Sequence, residues 1–254
     1  MIVEFIGASG AGKTSLIASL TTAPMSPRMT AVSDLLHDRS PLRNVREPQL
    51  QNLLDDVMLF PSFVRGGQQY RRFVRFAASR LRRSVPSTFA RYNYLREIVR
   101  DVGKHRFARA FSPRATVLLD EGPLITASHL FVYTRGGYDD HELERFIALA
   151  PLPDRVVYVR VPIELLAERA VARRDRRREL SHDEDVERRL RRAVEVFDRL
   201  VASPTLGRRA IIVESVNVSE ARDVVARSLA HALDPTAMGV ARIPDVDDVA
   251  VRRP

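Results

Sequence analysis

Apolar and polar positions along the chain fall into two alternating kinds of segment. Short apolar runs rich in β-branched residues occupy residues 1–6, 29–32, 115–119, 155–159 and 210–213. Runs of this length and composition suit strands covered on both faces, as in a parallel sheet. Between them the apolar positions recur at helical spacing. They do so at Leu50, Leu53, Leu54, Val57 and Met58, at Tyr92, Leu95, Ile98, Val99 and Val102, and at Val186, Leu190, Val194, Phe197 and Val201. Further helices are predicted over 15–20, 139–149 and 163–172. A last one runs through Val225, Leu229 and Leu233 with Ser219 as its cap. Strands separated by helices imply right-handed crossovers and a parallel sheet of about five strands. Prolines mark a loop at 21–28, and Ser112-Pro113 ends the long helical stretch. Residues 129–138, with Arg135-Gly136-Gly137, read as a mobile loop, and the tail 235–254 as poorly ordered.

The first apolar run leads directly into Gly7-Ala8-Ser9-Gly10-Ala11-Gly12-Lys13-Thr14, which satisfies G-x-x-x-x-G-K-[ST] at every position, and then into a helix. This is the Walker A context. Glycines let the backbone curl so that consecutive N–H groups line a concave anion site at the positive end of the helix dipole. A polyphosphate fits there, with residues 7–13 and Ser15 around it. Lys13 is expected at the β- and γ-phosphates and the Thr14 hydroxyl on Mg²⁺. Only two of the 41 Lys and Arg residues are lysine, Lys13 and Lys104. A chain that otherwise uses Arg has Lys where a compact ammonium is wanted.

The third predicted strand, 115–119, ends in Asp120-Glu121-Gly122-Pro123. Acids at the tip of a central strand, opposite a phosphate loop, are placed to hold a metal and to take a proton. Asp120 is the candidate metal ligand beside Thr14, and Glu121 the candidate general base and acceptor contact. Asp34, after the second strand, faces the acceptor or caps a helix over Leu35 and Leu36; both readings stay open. Arg169, Arg173, Arg174, Arg176, Arg177 and Arg178 bunch after the fourth strand and its helix. Like charges repel until phosphates neutralise them, which suits a lid whose Arg169, Arg173 and Arg177 stabilise charge on a transferring phosphoryl group.

At 254 residues the chain accommodates one domain, 1–234, with a helical insertion at 48–111. Hydrophobic content of 45% and charge of 29% are those of a globular protein. The absence of cysteine excludes disulfides and thiolate metal sites. The N-terminus enters a strand without a basic leader and no apolar run approaches ~18 residues, so a cytoplasmic protein without a membrane partner is expected. The net charge of +9 suits anionic substrates; nucleic acid is the less favoured partner, because aromatic residues make up 7% and Trp is absent. Within the insertion, Arg65, Arg71, Arg72, Arg75, Arg80, Arg82 and Arg83 read mainly as a solvated face. Arg71 and Arg72 are the candidates to close over an acceptor. A homodimer is left open.

Taken together, several segments resemble the thymidylate kinase and deoxynucleoside kinase group of P-loop kinases. They are the Walker A segment, Asp120-Glu121-Gly122-Pro123, Val157-Tyr158-Val159 with Pro162 and Glu164, Glu168-Arg169 with Arg173, and Val213-Glu214-Ser215. The resemblance implies a three-layer α/β/α fold with sheet order 2-3-1-4-5. It also implies ATP with Mg²⁺ as phosphoryl donor, a lid at 169–184 and an adenine pocket built by Ser215 and Val216. Those kinases carry an acid followed by Arg after the third strand; here Glu121 holds the Arg position. Two adjacent carboxylates suit an alcohol better than a dianion. The expected activity is therefore ATP-dependent phosphorylation of an alcohol such as a nucleoside or sugar. A nucleoside monophosphate kinase of thymidylate kinase type is one alternative. A P-loop ATPase, or a nucleotide-dependent module binding nucleic acid or a partner, is another. A Ras-type GTPase lacks its [NT]-K-x-D segment here, and Gly66-Gly67-Gln68-Gln69 lacks the preceding Leu-Ser of a transporter signature loop.

Overall fold

The computed structural model describes residues 1–23, 29–39, 56–61, 64–65, 67–112, 115–134, 136–177, 183–214 and 217–233. Strands β1 (Ile2–Ile6), β2 (Met29–Ala31), β3 (Thr116–Leu119), β4 (Arg155–Val159) and β5 (Ala210–Val213) form one parallel sheet in the order β2-β3-β1-β4-β5. This is the expected 2-3-1-4-5 arrangement. β1 lies at its centre, with Val3 in register with Leu118 on one side and Arg155 on the other.

The all-apolar character of β3 follows from burial on both faces. Val117 and Leu119 pack with Ile2, Leu36, Leu59 and Ala108, whereas Leu118 between them joins the larger core with Phe5, Leu16 and Val157. Helices cover both sides. α1 (Lys13–Thr22) buries Leu16, Ile17 and Leu20, while α2 (Val32–Arg39) lies against β2 and β3. α2 begins immediately after β2, which shortens the predicted second strand by one residue.

In the basic insertion, Leu50, Leu53 and Leu54 lie outside the described residues and 56–61 are helical; from residue 67 on, two helices pack together, α3 (Gly67–Ser84) and α4 (Thr88–Phe111), joined where Ser87 caps α4 by accepting from the Ala90 N–H. α4 rests on β3 and β1. α5 (Asp140–Leu149) is capped by Asp139. After β4 follow α6 (Ile163–Arg177), α7 (Asp183–Ala202) and the short α8 (Pro204–Gly207). α9 (Val218–Leu233) packs on α1. The cap of α9 is Asn217, whose side chain accepts from Ser219 N–H and Glu220 N–H, so Ser219 lies inside the helix.

Two local readings change. The predicted loop at 129–138 opens with a π-helical turn, Ser128–Val132. Arg80, read as part of a solvated face, is buried and holds this segment: its guanidinium donates to the carbonyls of Leu130 and Gly137 and pairs with Glu142 at 2.5 Å. A buried cation with three partners fixes backbone that composition alone marks as loose. The tail 235–254 and residues 178–182 of the expected lid lie outside the described residues. No helix among the described residues is long and apolar enough to cross a membrane.

Candidate active site

The loop between β1 and α1 is curled by three glycines at positive φ: Gly7 at 140°, Gly10 at 93° and Gly12 at 96°. Only glycine adopts these values at little cost. Gly7 has a second constraint, since a Cβ there would stand 2.5 Å from the Val159 carbonyl oxygen at the end of β4. Lys13 folds back over the loop, its Nζ donating to the Gly7 carbonyl at 2.7 Å and the Ala8 carbonyl at 3.1 Å. Arg169 reaches the same loop from α6, with Nη1 donating to the Gly10 carbonyl at 2.9 Å.

These groups border a cavity of about 720 Å³. The P-loop with Thr14 and Ser15 forms one wall. The others come from Asp120 and Glu121 after β3, Asp101 of α4, His129 and Tyr133 of the π-turn, Arg169, and Val218 with Ala221 at the start of α9. The carboxyl ends of β1 and β3 therefore bring the Walker A segment and the acidic tip to one space, as open α/β sheets do.

Below the acidic tip the structure is held by Glu4, a charged residue in the middle of an apolar strand. Fully buried, it accepts from the Leu124 N–H at 2.7 Å and the Ile125 N–H at 3.0 Å, tying β1 to the chain after β3. Gly122 fits there because a Cβ would lie 2.7 Å from the Glu4 carboxyl carbon. Burial pushes the Glu4 carboxyl up to about 8, against the opposing pull of the Ile125 and Leu124 amides.

Glu121 is gripped by Lys104 of α4, Nζ to Oε2 at 2.6 Å, and the Asp101 Oδ1 lies 3.8 Å from the same ammonium. Partial burial raises the Glu121 carboxyl, and Lys104 more than offsets this, leaving it below the usual carboxylate range. Asp101, with 2% exposure, is pushed up to about 8 by burial despite Lys104. Burial likewise lowers His129, whose Nδ1 is 3.5 Å from Glu97 Oε2 and whose ring lies between Tyr94 and Tyr133.

Of the residues expected from sequence, 7–15 other than Ala8, together with Asp120, Glu121 and Arg169, line the cavity; Ala8 is buried within the loop. Asp34 does not. It sits exposed in the first turn of α2, inside the helix instead of at its cap. Arg71 and Arg72 are exposed on α3 and absent from the lining, because the buried face of that helix carries Tyr70, Phe73, Phe76, Ala77, Arg80 and Leu81. Arg173 and Arg177 belong to α6, but their side chains, like Ser215 and Val216 altogether, lie outside the described residues. Sequence reasoning missed Asp101, Lys104, His129 and Tyr133. A signal was present for two of them: Glu97, Asp101 and Lys104 recur at i, i+4 and i+7, placing a polar stripe beside buried Ile98 and Val102.

Comparison with family models and with curated proteins finds no match. Among solved structures, the chain is similar to a deoxyadenosine kinase from M. mycoides with bound dATP, at 12% identity and a TM-score of 0.46, covering 91% of this chain and 100% of that one. For the same kinase with bound dCTP the identity is 13% and the TM-score 0.45, with 91% and 99% covered. A Thermus thermophilus protein is similar at 19% identity and a TM-score of 0.43, with 92% and 97% covered.

Proposed function

We propose that the protein is an ATP-dependent phosphotransferase that moves the γ-phosphoryl group to the hydroxyl of a small-molecule alcohol. The observation that carries this reading is the shared cavity, in which a full Walker A loop faces the Asp120-Glu121 pair. Thr14 and Asp120 fit a Mg²⁺ ion chemically, since both offer hard oxygen ligands to the same space. Mg²⁺ would neutralise charge on the phosphates. The curled loop and Lys13 fit a nucleotide polyphosphate, with Lys13 leaving the Gly7 and Ala8 carbonyls for phosphate oxygens.

In the reaction, the acceptor oxygen bonds to the γ-phosphorus while the bond to the β-γ bridging oxygen breaks, ADP leaves, and the hydroxyl proton passes to Glu121. The proton leaves late in a loose transition state, so a base that is ionised at neutral pH is adequate even when weak. Lys104 keeps Glu121 ionised and fixes its orientation. Arg169, beside Gly10, and the lid arginines Arg173 and Arg177 would stabilise phosphoryl charge and exclude water. Val218 and Ala221 would border the nucleotide base, next to Ser215 and Val216.

The test is transfer of labelled phosphate from ATP or GTP to panels of alcohols, nucleosides and nucleoside monophosphates, scored against hydrolysis. Transfer to an alcohol, lost in Lys13→Ala, supports the reading. Nucleotide hydrolysis stimulated by nucleic acid with no acceptor phosphorylated overturns it.

A further inference from the structure

The cavity lining includes a buried acid that the phosphoryl transfer does not use. Asp101 is 2% exposed, and its Oδ1 accepts no hydrogen bond. The nearest cation to this oxygen is Lys104 at 3.8 Å, and that ammonium is committed at 2.6 Å to Glu121. A buried carboxyl oxygen without a hydrogen-bond partner is costly unless a ligand supplies one.

Charged groups of both signs act on this acid. Glu97 from the same helix and Glu121 from the tip of β3 act on it, against Lys104 and Arg100, and Glu4 from β1 is close enough for Asp101 to raise its carboxyl. Among the described residues, the one arginine in the cavity lining is Arg169, which contacts the P-loop. An arriving ammonium would supply the donor that the Asp101 Oδ1 lacks, whereas a phosphate or carboxylate offers that oxygen none.

We propose that the phosphoryl acceptor is an amino alcohol, whose protonated amine is received by Asp101 while its hydroxyl lies at Glu121. This rests on the kinase reading above and names the acceptor class. Asp101 then discriminates by charge, since a protonated amine forms with it an ion pair that neither a neutral nor an anionic analogue can form. Binding also carries a proton signature. Burial holds the Asp101 carboxyl near 8, so at pH 7 it is protonated in the absence of a cation, and an arriving ammonium displaces that proton to solvent.

Three matched pairs test this: ethanolamine with ethylene glycol, glucamine with sorbitol, and 2-deoxystreptamine with myo-inositol. Glucose 6-phosphate serves as the anionic control. At least one amine should exceed its hydroxyl partner in kcat/KM by about tenfold or more, the discrimination expected of a charge-assisted hydrogen bond. Asp101→Asn should cut that preference. Calorimetry on the wild-type protein with the preferred amine, in two buffers of different ionisation enthalpy at pH 7, should show net proton release, which keeps the test independent of whether the variant folds. Stabilisation by ATP–Mg²⁺ with no amine preferred, or with amine binding that releases no proton, overturns the proposal and leaves the kinase reading standing. Failure of ATP–Mg²⁺ to stabilise the protein overturns both.

Discussion

Replacing Glu4 by glutamine should remove a pH dependence from the folding of this protein. The carboxyl is fully buried and titrates near 8 in the folded chain, against 4.5 as its ordinary value. Between those two values the folded state retains a proton that the unfolded chain has released. The stability associated with that proton is complete below about 4.5 and is lost as pH rises through about 8. The separation of the two values sets a ceiling of roughly 5 kcal/mol on the loss. A neighbouring acid, Asp101, contributes to the shift, so the loss assigned to Glu4 alone should be a few kcal/mol. Glutamine resembles the protonated acid, keeps an acceptor for the Leu124 and Ile125 N–H groups and carries no proton to lose. Urea unfolding near pH 5, 7 and 9 is the assay. Wild type and Glu4→Gln should be similar at the acid end, and the variant should gain relative stability toward alkaline pH. Curves that stay parallel across the range would refute the reasoning. Glu4→Ala leaves both amides without their acceptor and should cost about 2–5 kcal/mol already at the acid end.

Other outcomes follow from the same geometry. Gly122→Ala places a Cβ within 2.7–2.9 Å of the Glu4 carboxyl group and should lower stability by about 1–3 kcal/mol in thermal or urea unfolding. Lys104→Met strips Glu121 and Asp101 of their shared cation; it should destabilise by about 3 kcal/mol and lower kcat with little change in KM for ATP, measured by steady-state kinetics. Glu121→Gln should reduce kcat about 10²-fold or more while thermal shift by ATP–Mg²⁺ is retained, and equal losses in both would make Glu121 structural. Lys13→Ala should abolish phosphoryl transfer, and wild-type turnover in that variant would remove Lys13 from the mechanism.

The parts of the site that can be read from the chain are those formed by neighbours in sequence. The Walker A loop is one contiguous segment whose glycines, lysine and threonine specify their own geometry, and the acids Asp120 and Glu121 stand at the end of a recognisable apolar strand. The five strands are legible as short apolar runs; β1 and β3 are buried on both faces, with Glu4 the charged exception, whereas the edge strand β5 leaves Ile212 exposed. What periodicity could not supply is which helix face meets the sheet's carboxyl edge. Arg71 and Arg72 carry the same charge as Arg80, yet the first two are exposed and the third is buried among carbonyls and Glu142. Asp34 follows a strand as Asp120 does, but α2 begins at once and carries it away from the cavity.

By itself, then, the sequence determined the phosphate loop, the strand and helix alternation, and the acidic tip, because each depends on local backbone preferences and side-chain burial patterns a few residues long. Only the tertiary structure decided that Lys104 would seize Glu121, that Asp101 would face the cavity with an oxygen lacking a donor, and that Glu4 would hold Leu124 across 120 residues of chain. The reason is electrostatic: what a charged group does depends on which others share its low-dielectric surroundings, and that company is assembled by the packing of β1, β3 and α4.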